Sequence, residues 1–415
     1  MRLIENKMIG GILLVSGTTI GAGMLALPTV TGLAGFFPSI LLFIAYWAFF
    51  VFTAFLMLEA SLWMGNGTNL ISMAKKTLGT FGEIITWITF LFLLYALTTA
   101  YLSGSSSIVL EFFSRVFGYE LPIWLGPLPL LLTFGIFVYR GAKFVDAANR
   151  ILMFGLAIAY CLTIYFLVPH IEMTLISHVD WSYIALGNSI IATSFGFHII
   201  IPSLATYMDR DLKKLRKVIF IGSLIPLLIY ILWEFSTLGV IPIEGVDSIT
   251  TGYKNGDEVT SILTAVLGNT FLSMIIRIFS FFAIITSFLG VSLSLRDFLA
   301  DGFNIQKTGS GKFKLYLMTF LPALLIIWTY PNIFIMALEF AGAFGVMILL
   351  GFLPALIVWK GRYKKKIPST YEVIGGKLAL IIIMSLSICA VLLEIINKLG
   401  YFHRSLRLEV KVFFP

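Results

Sequence analysis

Charge is scarce in this 415-residue chain: 29 lysines and arginines and 21 aspartates and glutamates make up only 12% of it, against about 25% in soluble proteins. A water-facing surface for a chain this long needs more charge than that. The shortage excludes a soluble globular protein, and with 59% hydrophobic residues lipid takes the place of water. Cysteine is nearly absent. Cys161 and Cys389 lie far apart inside apolar stretches, which excludes a disulfide framework and leaves them as packing residues. Histidine is scarce as well. His170, His178, His198 and His403 have no metal-ligand spacing, and no nucleophile has a base beside it, which counts against a membrane-embedded enzyme. The sequence calls for no metal and no cofactor.

What it does contain is long apolar runs. A membrane-crossing helix takes about 20 apolar residues, and eleven runs separated by charge clusters satisfy that length. Helix 1 is expected over Met8 to Leu33, helix 2 over Phe37 to Met64, helix 3 over Ile84 to Ile108, helix 4 over Pro122 to Tyr139 and helix 5 over Val145 to Val168. Helix 6 follows over Tyr183 to Met208, helix 7 over Val218 to Ile241, helix 8 over Phe271 to Leu295, and helix 9 over Leu315 to Tyr330. Helix 10 covers Ile333 to Trp359 and helix 11 Leu378 to Ile396. The longer loops, at residues 65–82, 169–182, 242–270 and 360–377, are too short for a soluble domain. Arg2 and Lys7 ahead of an apolar run resemble a signal peptide, but no small-x-small cleavage site follows, so the run reads as a retained first helix.

The net charge of +8 raises the question of a nucleic-acid partner, which the placement of the basic residues answers. They fall in clusters on alternate loops: Arg2 with Lys7, Lys75 with Lys76, Arg140 to Arg150, Arg210 to Lys217, Arg296 to Lys314 and Lys360 to Lys377. Only Arg115, Lys254, Lys398, Arg404, Arg407 and Lys411 stand on the other side, and Arg277 alone lies within a helix. This is the positive-inside pattern: the N-terminus is expected in the cytoplasm, the C-terminus outside, and no nucleic acid is implied.

Two helices are interrupted where the bilayer is deepest. Helix 1 carries Ser16-Gly17-Thr18-Thr19-Ile20-Gly21-Ala22-Gly23 ahead of Pro28, and helix 6 carries Thr193-Ser194-Phe195-Gly196-Phe197-His198 ahead of Pro202. Each glycine weakens a helix by about 1 kcal/mol relative to alanine. Backbone opened there has no water to satisfy it, so it must line a cavity or hold a ligand; close helix packing is the other use of small residues. Helices 1 and 6 are each the first of five, so the breaks fall at matching places in two oppositely oriented halves, residues 8–168 and 183–359, with 378–396 added. That is the pattern of a secondary transporter with its site near the midplane. Half-helix amides suit a carboxylate and half-helix carbonyls an ammonium or alkali cation, which together fit an amino acid zwitterion. A channel would need a continuous polar path or filter ring instead.

The segments Gly17 to Pro28 and Thr193 to His198 closely resemble the bacterial aromatic amino acid permeases of the hydroxy/aromatic amino acid permease family. Tyr95-Ala96-Leu97-Thr98 with Ala100-Tyr101, Tyr207-Met208-Asp209, Lys214-Leu215-Arg216 and Thr286 to Val291 are similar to its tyrosine-permease branch. The resemblance implies the amino acid/polyamine/organocation-superfamily fold, all-α, with two inverted five-helix repeats, discontinuous helices 1 and 6 and an eleventh helix. It also implies uptake of an aromatic amino acid, tyrosine foremost, by proton symport across the bacterial inner membrane. The alternative is a sodium-coupled or exchange-type transporter for tryptophan or another hydrophobic amino acid. Some relatives carry a lysine in mid-helix 5 that stands in for sodium, whereas Leu152 to Ala157 has none.

By the same resemblance, Thr18, Thr19, Ile20, Gly21, Ala22 and Gly23 are expected to bind the substrate's carboxylate and ammonium, with Ser194 to His198 completing the cradle. Phe195, Phe197, Tyr95 and Tyr101 would wall an aromatic-ring pocket or serve as packing; the two tyrosines are six apart and do not share a helix face. His198 is a candidate proton carrier, its alternative being a hydrogen-bond donor to substrate or opened backbone. Glu59 reads as snorkelling near the inner end of helix 2. Glu234 and Glu339 are candidate ion-coupling residues, with Arg277 a possible ion-pair partner, because acids within the bilayer are expensive. Thr286 and Ser287 would coordinate sodium or hydrogen-bond between helices.

Overall fold

The computed structural model describes residues 7–64 and 69–399, with the backbone alone at 115 and 116. Arg2, His403, Arg404, Arg407, Lys411 and the side chain of Arg115 lie outside the described residues. Within them the chain is all-helical. Ten helices are long and apolar enough to cross a bilayer, and an eleventh crossing precedes them if the bent first pair counts as one. Span 1 is the pair Lys7–Thr19 and Gly23–Thr31, bent by 53°. Spans 2 to 6 are Phe36–Leu62, Leu70–Ser114, Ile123–Arg140, Ala142–His170 and Trp181–Tyr207. Spans 7 to 11 are Leu212–Leu238, Thr270–Gly302, Gly309–Thr329, Phe334–Tyr363 and Gly376–Lys398.

Several boundaries differ from expectation for local reasons. Residues 70–82 are helical and not loop. Asn69 and Ser72 cap each other's backbone N–H groups at 2.9 Å, a reciprocal cap that starts a helix early; the helix then kinks at Gly79, whose φ of +79° a side chain would resist. The 242–270 loop contains two short helices, Ile249–Asn255 and Val259–Leu267, each stopped by a left-handed glycine, Gly256 and Gly268. Span 10 changes to a π-helix over Ala341–Phe352, at the point where Gly342 lets it approach the Ser189 carbonyl of span 6.

Spans 6 and 10 form the centre, with 67% and 78% of their apolar windows buried against 22% in span 5 and 28% in span 11. The outward faces carry large apolar residues such as Ile151, Phe154 and Leu386, as a lipid solvent requires. Cys161 and Cys389, expected to pack inside, are exposed on these faces; the neighbouring exposed Ile158, Leu162, Ile388 and Leu392 form the apolar surface to which a small thiol adds.

Tertiary packing also reassigns the charges. Glu59 does not snorkel: it is fully buried, gripped by both arms of the Arg362 guanidinium, and accepts the Val373 N–H at 2.8 Å. Arg277 pairs with Glu111, Glu339 with Lys398, and Glu234 with the Thr31 hydroxyl at 2.5 Å. Arg277 forms no pair with Glu234 or Glu339 among the described residues, because each carboxyl is taken by a neighbour from a nearer span.

Candidate functional site

Both expected interruptions are present in the backbone. Span 1 loses its helix between Thr19 and Gly23, and span 6 between Ser194 and His198. Breaking a helix orphans the carbonyls of the half that ends and the amides of the half that begins. Two aromatic side chains of span 7 take up part of this deficit. The Tyr230 hydroxyl has one proton to give, lying 2.7 Å from the Thr19 carbonyl and 3.1 Å from the Ser194 carbonyl, so one phenol sits between the ending halves of both broken spans. Pro28 has no N–H to give to the carbonyl four residues earlier; that carbonyl, of Met24, accepts the Trp233 indole N–H at 2.9 Å instead. On the opposite side the Ala22 N–H donates to Ser287 Oγ of span 8 at 2.9 Å. The approach depends on Gly21, where a β-carbon would stand 2.5 Å from the same oxygen.

A cavity of about 340 Å³ opens between the breaks, within the size range of small-molecule sites. Its lining differs by span. Spans 1, 5, 6 and 8 bring the polar groups, the backbone and hydroxyls of Thr18 to Gly21, Ser194, Thr286 and Ser287 with Asn149, among apolar residues such as Met153 and Ile199; spans 3 and 10 supply an apolar wall of Leu93, Leu97, Val346 and Leu350. Gly196 faces that apolar wall, its would-be β-carbon 3.2 Å from Leu350. Exposure grades along the cavity. Ser194 and Tyr101 beside the breaks are 2% and 7% exposed, whereas Ile199, Gly290 and Ser294 are open. The mouth therefore lies on the face where span 1 begins and spans 6 and 8 end.

Of the residues singled out from sequence, Thr18, Thr19, Ile20, Gly21, Gly23, Ser194, Gly196, Tyr101, Thr286 and Ser287 line this cavity. The others are elsewhere. Ala22 is fully buried and reaches the site only through its N–H bond to Ser287. Tyr95 does not wall the pocket; it turns to span 9 and donates to the Met318 carbonyl at 2.6 Å, as its six-residue separation from Tyr101 requires. Phe195 and Phe197 point away into the core, Phe195 edge-on to Phe43 and Tyr230, and Phe197 against the His198 ring. His198 is fully buried outside the cavity lining, 2.8 Å from Thr53 Oγ1 and edge-on to Phe50. It ties the span 6 break to span 2 and stands outside the cavity lining. Glu234 and Glu339 also lie off the cavity lining.

Sequence reading missed Tyr230, Trp233 and Asn149. Trp233 had an indirect signal, since Pro28 announces that the Met24 carbonyl needs a donor from another element. Tyr230 and Asn149 had none, being ordinary residues of apolar helices. The Asn149 Oδ1 is buried at the cavity without a hydrogen-bond partner among the described residues, an acceptor left for whatever the cavity holds. No group of three or more metal-ligating side chains occurs among the described residues.

Comparison with known proteins places this geometry in context. A tyrosine-specific transport system of Haemophilus influenzae is 34% identical over 405 residues, covering 95% of this chain and 98% of that one. A tryptophan-specific transport protein of Pseudomonas aeruginosa is 31% identical over 404 residues, covering 95% and 96%. A crystal structure of the Eremococcus coleocola manganese transporter shares the fold, with a TM-score of 0.60 at 14% identity over 94% of this chain and 87% of that chain. Residues 4–394 match the tryptophan/tyrosine permease family. The chain is therefore a multi-pass membrane transport protein, and it belongs to the tryptophan/tyrosine permease family.

Proposed function

We propose that this permease imports an aromatic amino acid, tyrosine foremost, across the bacterial inner membrane by proton symport. The observation that carries the reading is the two-faced cavity at the paired breaks. Amides at Gly21 and Gly23 receive the carboxylate, the carbonyl ends at Thr19 and Ser194 face the ammonium, and the ring lies along Leu93, Leu97, Val346 and Leu350. Tyr101 closes the end beside the breaks.

The basic loops put the cavity mouth in the cytoplasm, so this conformation faces inward. Residues 8–168 and 183–359 act as inverted repeats, and spans 1, 2, 6 and 7 rock against spans 3, 4, 8 and 9 to expose the site to either side. Two contacts favour spans 1, 6 and 7 moving as one body: the Tyr230 phenol bridge and the Trp233 bond to Met24. A second reading, sodium coupling, rests on the Thr286 and Ser287 oxygens beside the span 1 break.

The test is uptake of labelled tyrosine, tryptophan, phenylalanine and leucine into proteoliposomes, with proton and sodium gradients imposed separately. Accumulation of tyrosine driven by an inward proton gradient is expected. Saturable uptake of no aromatic amino acid would refute the reading; a response to sodium alone would replace the proton, and a tryptophan preference would replace tyrosine.

A further inference from the structure

Outside the cavity, the described residues contain one place where two buried acids share a single base. Glu339 of span 10 and Glu394 of span 11 are each 1% exposed. The Lys398 ammonium pairs with Glu339 Oε2 and lies 3.5 Å from Glu394 Oε1. One positive charge thus serves two carboxyl groups. Glu339 Oε1 and Glu394 Oε1 have no hydrogen-bond partner among the described residues. Among the described residues the elements packed around the cluster add no second cation: span 6 contributes the Ser189 hydroxyl, span 2 the Tyr46 phenol near Glu394, the short helix Ile249–Asn255 the Tyr253 phenol, and span 10 the Phe340 ring over Lys398. With both acids ionised the cluster would carry an uncompensated negative charge away from water, which is expensive. A single proton shared by the two carboxyls removes it.

The cluster is joined to the transport site by short bonds. Ser189 donates to Glu394 Oε2 at 2.7 Å, and it sits one helical turn before cavity-lining Thr193. The Thr193 hydroxyl lies 2.7 Å from the Leu338 carbonyl, next to Glu339, and 3.2 Å from the Ser189 carbonyl. Asn188 donates to the Ala390 carbonyl of span 11 at 3.0 Å. The half of span 6 that ends at the break is therefore docked on Glu394 itself and on the backbone beside Glu339. Lys398, at the last turn of span 11, keeps its side chain 26% exposed, which gives the cluster a route to the surface on the face away from the cavity mouth.

We infer that Glu339 and Glu394 form the site that holds the coupling proton, with Lys398 as their fixed counter-charge and Ser189 as the link to the span 6 break. This rests on the proton-symport reading. A proton arriving by the Lys398 route neutralises the pair; its loss leaves two carboxylates competing for one ammonium and loosens the bond that holds span 6.

The experiment compares the wild type with Glu339→Gln, Glu394→Gln and Ser189→Ala in proteoliposomes. Both glutamine variants should exchange internal for external labelled tyrosine within about twofold of the wild-type rate, yet lose accumulation driven by a proton gradient. Ser189→Ala keeps both acids and should shift the pH at which accumulation is half-maximal, and it decides the matter alone if the glutamine variants do not fold. Wild-type accumulation in both glutamine variants, or an unchanged pH profile in Ser189→Ala, overturns the assignment. Wild-type protein that does not respond to a proton gradient overturns the symport reading itself, before any variant is compared.

Discussion

The Tyr230 hydroxyl stands 2.7 Å from the carbonyl of Thr19, across an interval of 211 residues, and takes up an acceptor that the broken helix of span 1 leaves without its usual amide. Because the same oxygen reaches the Ser194 carbonyl at 3.1 Å, a single phenol holds both breaks in register. Replacing it with Tyr230→Phe keeps the ring packed on Phe195 and removes only the hydroxyl. A lost buried hydrogen bond costs about 1 to 3 kcal/mol. The variant should insert normally, and its initial rate of tyrosine uptake at low substrate should fall by roughly tenfold, measured in proteoliposomes against an equal amount of folded protein.

Glycine at 196 sets the clearance of the apolar wall. A β-carbon there meets Leu350 at 3.2 Å and Val346 at 3.5 Å, tighter than comfortable contact but relievable by a small leucine movement. Gly196→Ala should therefore cost the larger indole ring more than the phenol, on the scale of one methylene in a pocket, about 1 to 3 kcal/mol. Competition between tryptophan and labelled tyrosine should show tryptophan weakened about tenfold relative to tyrosine. Gly196→Leu, and Gly21→Leu against Ser287, should abolish uptake while leaving membrane insertion intact; near-normal transport in both leucine variants would remove the breaks from the site.

The Glu59–Arg362 pair joins span 2 to the end of span 10, and neither side chain is more than 6% exposed. Removing one partner of such a pair strands the other charge, at a cost of about 3 to 5 kcal/mol. Glu59→Gln should lower the thermal midpoint of the detergent-solubilised protein sharply, and Glu59→Gln combined with Arg362→Gln should recover part of the loss. A midpoint unchanged in the single variant would show that the pair is not what anchors these spans.

Glu258, in the segment between spans 7 and 8, is buried beside the Ser280 and Thr260 hydroxyls, and burial pushes its carboxyl up from 4.5 to about 7. The folded state then holds a proton that the unfolded chain releases near pH 4.5, so stability falls as pH rises from about 4.5 to about 7 and is level above it. Glu258→Gln should flatten this portion of the pH profile of thermal stability. A wild-type slope of the opposite sign, or one that survives in the glutamine variant, would assign the effect to other groups.

Much of the architecture was legible in local sequence. Apolar length marks each span, because the bilayer requires about the same run of residues at every crossing. Glycines and hydroxyls mark the two breaks, because a weakened helix at membrane depth needs a cavity to line. Helix starts were less legible. The Asn69–Ser72 cap extends span 3 into a stretch whose polarity reads as loop, and the π-helix of span 10 follows from its contact with span 6 at Gly342 and not from its own composition.

Which side chains enter the cavity was legible only in part. Tyr101 and Tyr95 occur in one motif, yet one lines the cavity and the other bonds to Met318 in span 9. Phe195 and His198 lie in the same break as Ser194 and Gly196, and turn to Phe43, Thr53 and Phe50 instead. In an opened backbone successive residues lose the fixed helical spacing, so direction depends on which neighbours fill the space.

Sequence by itself determined the solvent, the number of crossings, the two interruptions and the family. Those are properties of consecutive residues, read at the scale of one helix. Tertiary structure decided the pairing: Arg362 with Glu59 across 303 residues, Lys398 with two acids, Tyr230 with two breaks. A buried charge or orphaned carbonyl must find a partner somewhere, and sequence shows that need without showing which distant span supplies it.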